Sequence, residues 1–234
     1  MATTGTAVFD LDLNNLVEEA FERCGTELRT GYDLKTARRS LNLLSIEWAN
    51  RGVNLWTIEE GTIAMVASTT TYNLPLDTVD LLDTVIRTGT GTSQSDITIK
   101  RISSTTYAMI PGKNTTGRPI QVWVDRQSGA TDPTDGVKYP TVNMWPVPDQ
   151  SNRYTLVYWR LRRMQDVGDG TTTQDVPYRF LPAMVAGLAH YLSMKIPEAV
   201  SRIPMLEADY EKQWMLATGE DREKASLRIA PKIF

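Results

Sequence analysis

Apolar positions along the chain recur first at helical spacing, then at strand spacing, then at helical spacing again. Leu13, Leu16, Val17, Ala20, Phe21 and Cys24 share one helical face, and Gly25 follows as a C-terminal stop. A second stripe, Leu34, Ala37, Leu41, Leu44 and Trp48, predicts a helix capped by Asp33 and ended by Gly52. That helix is roughly 25 Å long at the usual rise per residue. The short Gly-containing link between the two favours an antiparallel helical hairpin.

From about Leu55 to Met164 the pattern changes to strands and turns. Ile97–Ile102, Ile120–Arg126, Val142–Val147 and Tyr154–Arg163 are short runs rich in β-branched and aromatic residues, and Thr62–Ala67 and Leu81–Thr88 are weaker candidates. Turn formers separate them at Gly89–Thr92, Pro111–Asn114, Asp132–Gly136 and Pro148–Asp149. Strands so spaced, without long helices between them, predict an antiparallel sandwich or barrel. A short helix at Ser104–Met109 interrupts them and stops at Pro111.

After a polar loop, Gly168–Asp175, helical spacing returns. Pro177 marks a possible start, and Leu181, Val185, Leu188, Leu192 and Ile196 form the stripe. Pro182 either marks the true start or kinks the helix, and Pro197 ends it. Ala183, Ala186, Gly187 and Ala189 are small enough for another helix to approach closely. A last helix runs from about Ser201 to Lys224, with Ile203, Leu206, Tyr210, Trp214 and Ala217 on one face. Helices with one apolar stripe need partners, so the helices at the two ends pack together and the β part is an insertion between them. The predicted fold is α+β: a helical bundle with an inserted antiparallel β-sandwich or barrel-like part and an extended C-terminal arm. Its parts are an N-terminal helical hairpin at 1–54, a β domain at 55–165, C-terminal helices at 166–224 and an arm at 225–234.

Composition narrows the function classes. The 234 residues are 41% hydrophobic and 23% charged, as in an ordinary globular protein. A net charge of -3 does not suggest a basic nucleic-acid reader. The single cysteine, Cys24, allows no internal disulfide and no Cys-based metal cluster. The polar N-terminus lacks a signal-peptide pattern, and no apolar run is long enough for a membrane span. No cofactor and no membrane partner are therefore expected. The charge is uneven: from Arg222 onward, Arg222, Lys224, Arg228 and Lys232 face one acid, Glu223, giving +3 and leaving -6 for the rest. With Leu227, Ile229, Pro231, Ile233 and Phe234, this basic and apolar tail reads either as a docking segment or as a frayed end.

Candidate chemistry is thin, and the chain is read as a non-enzyme. His190 lies mid-helix between Ala189 and Tyr191 and is read as a packed or partly exposed helix residue, not a general base. No nucleophile-elbow or phosphate-loop motif occurs. Asp77, Asp80 and Asp83, and the pairs Glu18-Glu19 and Glu59-Glu60, are read as solvated faces or caps rather than catalytic pairs. The six tryptophans, Trp48, Trp56, Trp123, Trp145, Trp159 and Trp214, would bind sugars or bases if exposed, but core or interface is the expectation for most. Alternation puts Trp159 on a core-like face with Val157 and Leu161. Arg160 and Arg162 then project from the opposite face, with Arg163 just beyond, toward acids on a neighbouring strand or subunit.

Three stretches carry a resemblance to a known family. They are Leu43–Trp48 followed by Arg51–Trp56, the segment Asn143–Pro148, and the run from Tyr158 through Gln174-Asp175-Val176-Pro177-Tyr178-Arg179-Phe180-Leu181-Pro182 to Lys195. In order and over most of the chain they resemble the head-to-tail adaptor, or connector, proteins of tailed bacteriophages, especially short-tailed ones. The resemblance implies a structural virion protein of the neck, assembled in the host bacterial cytoplasm. It implies a homo-oligomeric ring, twelve copies, beneath the portal protein, with the helical part as ring body. The β part would point outward or toward the tail nozzle or another tail protein. Genomic DNA would pass without sequence recognition, and an acidic wall would keep it from sticking. The arm residues Arg222, Leu227, Arg228, Ile229, Pro231, Lys232, Ile233 and Phe234 would contact the portal, and Arg160, Arg162 and Arg163 a neighbouring subunit or the tail. The alternatives are another neck or tail ring component, a stopper or nozzle, and a glycan-binding or cell-wall-acting protein that uses Trp123 and Trp145.

Overall fold

The computed structural model describes residues 5, 9–29, 31–52, 55–126, 132, 134–168 and 171–221. They form an α+β protein with five α-helices and mainly antiparallel sheets that do not close into a barrel. The chain divides into two compact units, residues 1–56 with 164–234, and residues 57–163.

The first unit is helical. Helix α1, Leu13–Cys24, starts where the Asp12 carboxylate accepts the Asn15 N–H at 2.8 Å, and ends at Gly25 in the left-handed conformation (φ 80°). Losing such an N-cap costs about 1 kcal/mol. All six positions of its predicted stripe are buried. Helix α2, Gly31–Arg51, begins two residues before the expected cap, so Asp33 lies in its first turn, where a negative charge also suits the helix dipole. Pro177 precedes a 3-10 turn at Tyr178–Phe180, and α4, Leu181–Ser193, then carries Pro182 in its first turn without a kink-forming position. Helix α5, Ile203–Glu220, is shorter than expected at both ends and buries Leu206, Tyr210, Trp214 and Ala217.

Helix α4 is the centre of this unit and is buried almost all round. It packs against α1, α2 and α5, whereas α1 and α2 touch each other little, so the expected hairpin is replaced by two helices that lean on a third. Gly187 explains the close fit: a Cβ there would lie 2.9 Å from both Leu44 of α2 and Tyr210 of α5. Trp48 is fully buried, with its ring 5.5 Å from Phe180 and 5.0 Å from Trp214. The sequence-distant halves are joined by contacts that include Leu13 N–H to the Thr172 carbonyl, Val167 N–H to Asn42 Oδ1, and Trp56 Nε1 to the Asp175 carbonyl.

The second unit holds the strands and a short helix, α3, Ser104–Ala108, capped by Ser103. One sheet has the order β1 (Ile58–Ala64), β10 (Tyr154–Arg162), β3 (Thr78–Thr88), β4 (Ser95–Thr98), all antiparallel. The other has β2 (Thr71–Asn73), β8 (Thr141–Trp145), β7 (Gln121–Asp125), β5 (Lys100–Arg101), with β5 parallel to β7. A small parallel pair joins β6 (Thr116–Gly117) to β9 (Val147–Pro148). Both four-stranded sheets contribute to one apolar core, with Ile86, Leu156 and Tyr158 from the first and Val122, Val142 and Met144 from the second. The expected strand at Ile97–Ile102 splits at Ile99, whose buried side chain marks the passage of the chain from one sheet to the other.

The face of β10 differs from expectation. The shared core receives Tyr154, Leu156 and Tyr158, not the Val157, Trp159 and Leu161 set. Val157 is nevertheless fully buried and Trp159 half-buried, so both faces of this central strand are covered over part of its length. Alternation fixes which residues share a face, but with apolar residues on both sides it does not say which face is inward.

Candidate functional site

Because β10 alternates regularly, Arg160 and Arg162 extend the same face as Tyr158 and run past the end of the core. The register shifts fall where β3 supplies extra residues, around Leu82 and Val79. Arg160 bridges two acids: Nη1 donates to Asp77 Oδ1 at 2.5 Å and Nη2 to Glu59 Oε2 at 2.8 Å, with Thr78 Oγ1 at 3.1 Å. Arg162 donates to the other Glu59 oxygen at 2.6 Å. Each arginine side chain is only 11% exposed, so this is a neighbouring-strand clamp joining β1, β10 and the start of β3. Of the acids singled out in the sequence, Asp77 and Glu59 serve here, and Asp80 pairs with Arg101 at 2.7 Å and Arg126 at 3.4 Å.

Arg163 lies apart from the clamp. It is exposed, its backbone N–H meets the Asp77 carbonyl, and with Arg126 and Lys138 it borders a cavity of about 660 Å³ floored by Leu76, Val79 and Pro140. None of the six tryptophans is fully exposed. Trp123 stacks on Tyr107 with ring centres 5.1 Å apart, and Trp145 Nε1 donates to the Gly112 carbonyl at 3.0 Å.

The helical unit holds a polar network that the sequence did not signal. Trp48 Nε1 donates to Tyr210 Oη at 2.9 Å, and Tyr210 in turn donates to Glu47 Oε1 at 3.1 Å. Tyr191 Oη donates to Glu47 Oε2 at 2.6 Å, and Arg51 reaches Glu47 at 2.6 Å. Arg51 also forks onto both Glu211 oxygens and lies over the Tyr210 and Trp214 rings. Burial, followed by the Glu47 carboxylate, pushes the Tyr191 hydroxyl up to about 12. Burial pushes the Tyr210 hydroxyl higher still. The network therefore fixes α2 against α4 and α5 as a structural device. His190 stacks on Tyr210 at 6.3 Å, and its buried Nδ1 makes no hydrogen bond among the described residues.

Charge is divided between the units. Residues 1–56 and 164–221 carry seventeen acids against ten bases, net -7, whereas residues 57–163 carry ten against eleven, net +1. In the helical unit a groove of about 510 Å³ runs between α1 and the start of α4, with Glu18 and Glu22 on its rim. Its exposed aromatic residues are Phe9, which precedes α1, and Tyr178, in the 3-10 turn before α4. The expected portal-contact residues, Arg222, Leu227, Arg228, Ile229, Pro231, Lys232, Ile233 and Phe234, lie outside the described residues. Among the described residues, no group of His, Cys, Asp and Glu could hold a metal ion, and no helix is long and apolar enough to cross a membrane.

An all-round structural chain, with paired acids and an acidic helical unit, also matches a known family along nearly its whole length. The model of the SU10 adaptor protein family covers residues 12–230. The chain belongs to that family. No curated protein matches it. The chain is thus a phage head-tail adaptor, a structural virion protein, in agreement with the resemblance carried by Leu43–Trp48, Arg51–Trp56 and the segment that leads into α4. Membership implies a place in the virion neck and association with other virion components such as portal and tail.

Proposed function

We propose that the chain forms a ring, twelve copies, that binds the portal, joins it to the tail and lines part of the DNA channel. The observation that carries this reading is the family match over residues 12–230, which spans both units and not one module. In this reading the helical bundle is the ring body and the β part is an inserted sandwich that meets the tail. The net -7 of the helical unit supports a conduit role, because like charge keeps passing DNA off the wall. A closed ring needs two different complementary patches on each copy. Exposed apolar side chains are available for them, Leu43 and Ile46 on α2 and Met205, Met215 and Leu216 on α5. Arg160 and Arg162 are taken up inside the unit, so Arg163 is the member of the arginine group best placed to meet tail or neighbour. The arm supplies the portal contact through Arg222, Leu227, Arg228, Ile229, Pro231, Lys232, Ile233 and Phe234. Assembly takes place in the host cytoplasm.

Co-sedimentation with the matching portal tests this reading. The full chain is expected to travel with the portal, and a chain lacking residues 225–234 to stay behind. If the shortened chain binds as well as the full one, the arm is not the portal contact, and a stopper or nozzle position takes its place.

A further inference from the structure

We propose that the groove between α1 and the start of α4 is the docking site for the chain's own last thirteen residues, 222–234, in the unassembled subunit. The groove offers what such a segment needs. Its floor is Leu181 and Val185, and its walls include Phe9 and Tyr178, which are 71% and 77% exposed. Large aromatic rings left that open at a concave apolar site mark an interaction surface. Its rim is acidic. Glu18 and Glu22 stand one turn apart on α1, both exposed, and neither makes an ion pair among the described residues. Glu19, between them, is already held by Arg23 at 3.0 Å, and Arg23 also reaches Asp209.

The occupant follows from charge and from where the described chain ends. Residues 222–234 carry four bases and one acid, interleaved with Leu227, Ile229, Ile233 and Phe234. By contrast, residues 1–8 contain no charged side chain. The last described residue is Asp221, whose carboxylate is held by Arg179, the residue next to Tyr178 on the groove wall. Asp221, after which the arm begins, is therefore tied to the neighbour of a groove residue. Thirteen extended residues reach up to about 43 Å, and the stretch of α1 from Asn15 to Arg23 is about 12 Å long, so length sets no obstacle. Docking within one chain raises the effective concentration to the millimolar range, so two exposed ion pairs and a few apolar contacts suffice. The docked arm keeps its apolar side chains from water and from other copies until assembly. This holds whether the portal or another ring later takes the arm.

The test uses the full chain with a benzophenone amino acid in place of Phe234, irradiated at low micromolar concentration and low ionic strength. The expected product has monomer mass, with crosslinks concentrated on Phe9, Tyr178 and Pro182. Glu18→Lys combined with Glu22→Lys should lower that yield roughly fivefold, and 0.5 M salt should act the same way. Both glutamates are exposed, so the variant is expected to melt like the parent in circular dichroism. Crosslinks scattered without enrichment at the groove, a yield unchanged by the double charge reversal, or a product of dimer mass would each overturn the proposal.

Discussion

Tyr210→Phe removes one oxygen from the centre of the helical unit. That oxygen accepts the hydrogen bond of Trp48 Nε1 at 2.9 Å, and Trp48 is fully buried, so its N–H is left without a partner and out of reach of water. Leaving a buried donor unpaired costs about 1–3 kcal/mol. The same hydroxyl donates to Glu47, but Glu47 keeps Tyr191 at 2.6 Å and Arg51 at 2.6 Å, so that loss adds little. The expected total is about 2 kcal/mol, which lowers the urea midpoint by roughly 1 M at a typical slope. Tyr191→Phe is the control. It also removes a hydroxyl bound to Glu47, but it orphans no buried donor, so about 0.5–1.5 kcal/mol is expected. The assay is urea unfolding of both variants, followed by the helical signal at 222 nm. The reasoning fails if Tyr210→Phe unfolds within about 0.5 kcal/mol of the parent, or if Tyr191→Phe costs as much.

Three further outcomes follow from the same geometry. Cys24 donates its S–H to the Ala189 carbonyl at 3.3 Å, and burial pushes its thiol up to about 11, so a thiol reagent at pH 8 should label it only after unfolding. Because that value is raised above the ordinary 9.0, its stabilising effect is complete below pH 9 and is lost as pH rises through about 11; Cys24→Ala should flatten this part of a stability profile. The Arg51 fork holds the Glu211 carboxyl below its usual range, so its contribution is present above about pH 4.5 and fades as pH falls through the lowered value. The melting-temperature gap between the parent and Glu211→Gln should therefore narrow in acid, and a gap constant from pH 6 to pH 2.5 would contradict the assignment. Arg160→Ala should destabilise the β unit by about 1–2 kcal/mol, because Asp77 and Glu59 are nearly half exposed and regain water. Arg160→Lys should not rescue it, since a single ammonium cannot fork between two acids; full recovery on urea unfolding would refute the clamp.

Much of the helical unit was legible in the sequence because its helices are amphipathic with clear punctuation. The α1 stripe from Leu13 to Cys24, its Asp12 cap and its Gly25 stop are all local features. The α2 start is not legible, because an acid in the first turn and an acid at the cap leave the same mark, and Asp33 is the former. In the β unit, β2 leaves no pattern in the sequence, since Thr71–Asn73 buries only Tyr72 and is too short to alternate. β3 looked weak because Asp80 and Asp83 interrupt its apolar run at the shifted register with β10. The core face of β10 is hidden in the sequence for a different reason: Val157 and Trp159 are more apolar than their neighbours, but both sides of β10 are covered, while the arginines do meet an acid, Glu59, on the neighbouring strand. The Glu47–Tyr210 network and the α1–α4 groove join residues more than 140 positions apart, and no local pattern reports such a meeting.

The most direct test of the adaptor account is cryo-electron microscopy of the full chain mixed with its matching portal. The account predicts a ring of twelve copies seated on the portal, with residues 222–234 of each copy against the portal wall and the acidic helical unit facing the channel. A bare portal beside free chain, or a ring whose C-terminal residues never touch the portal, would contradict it.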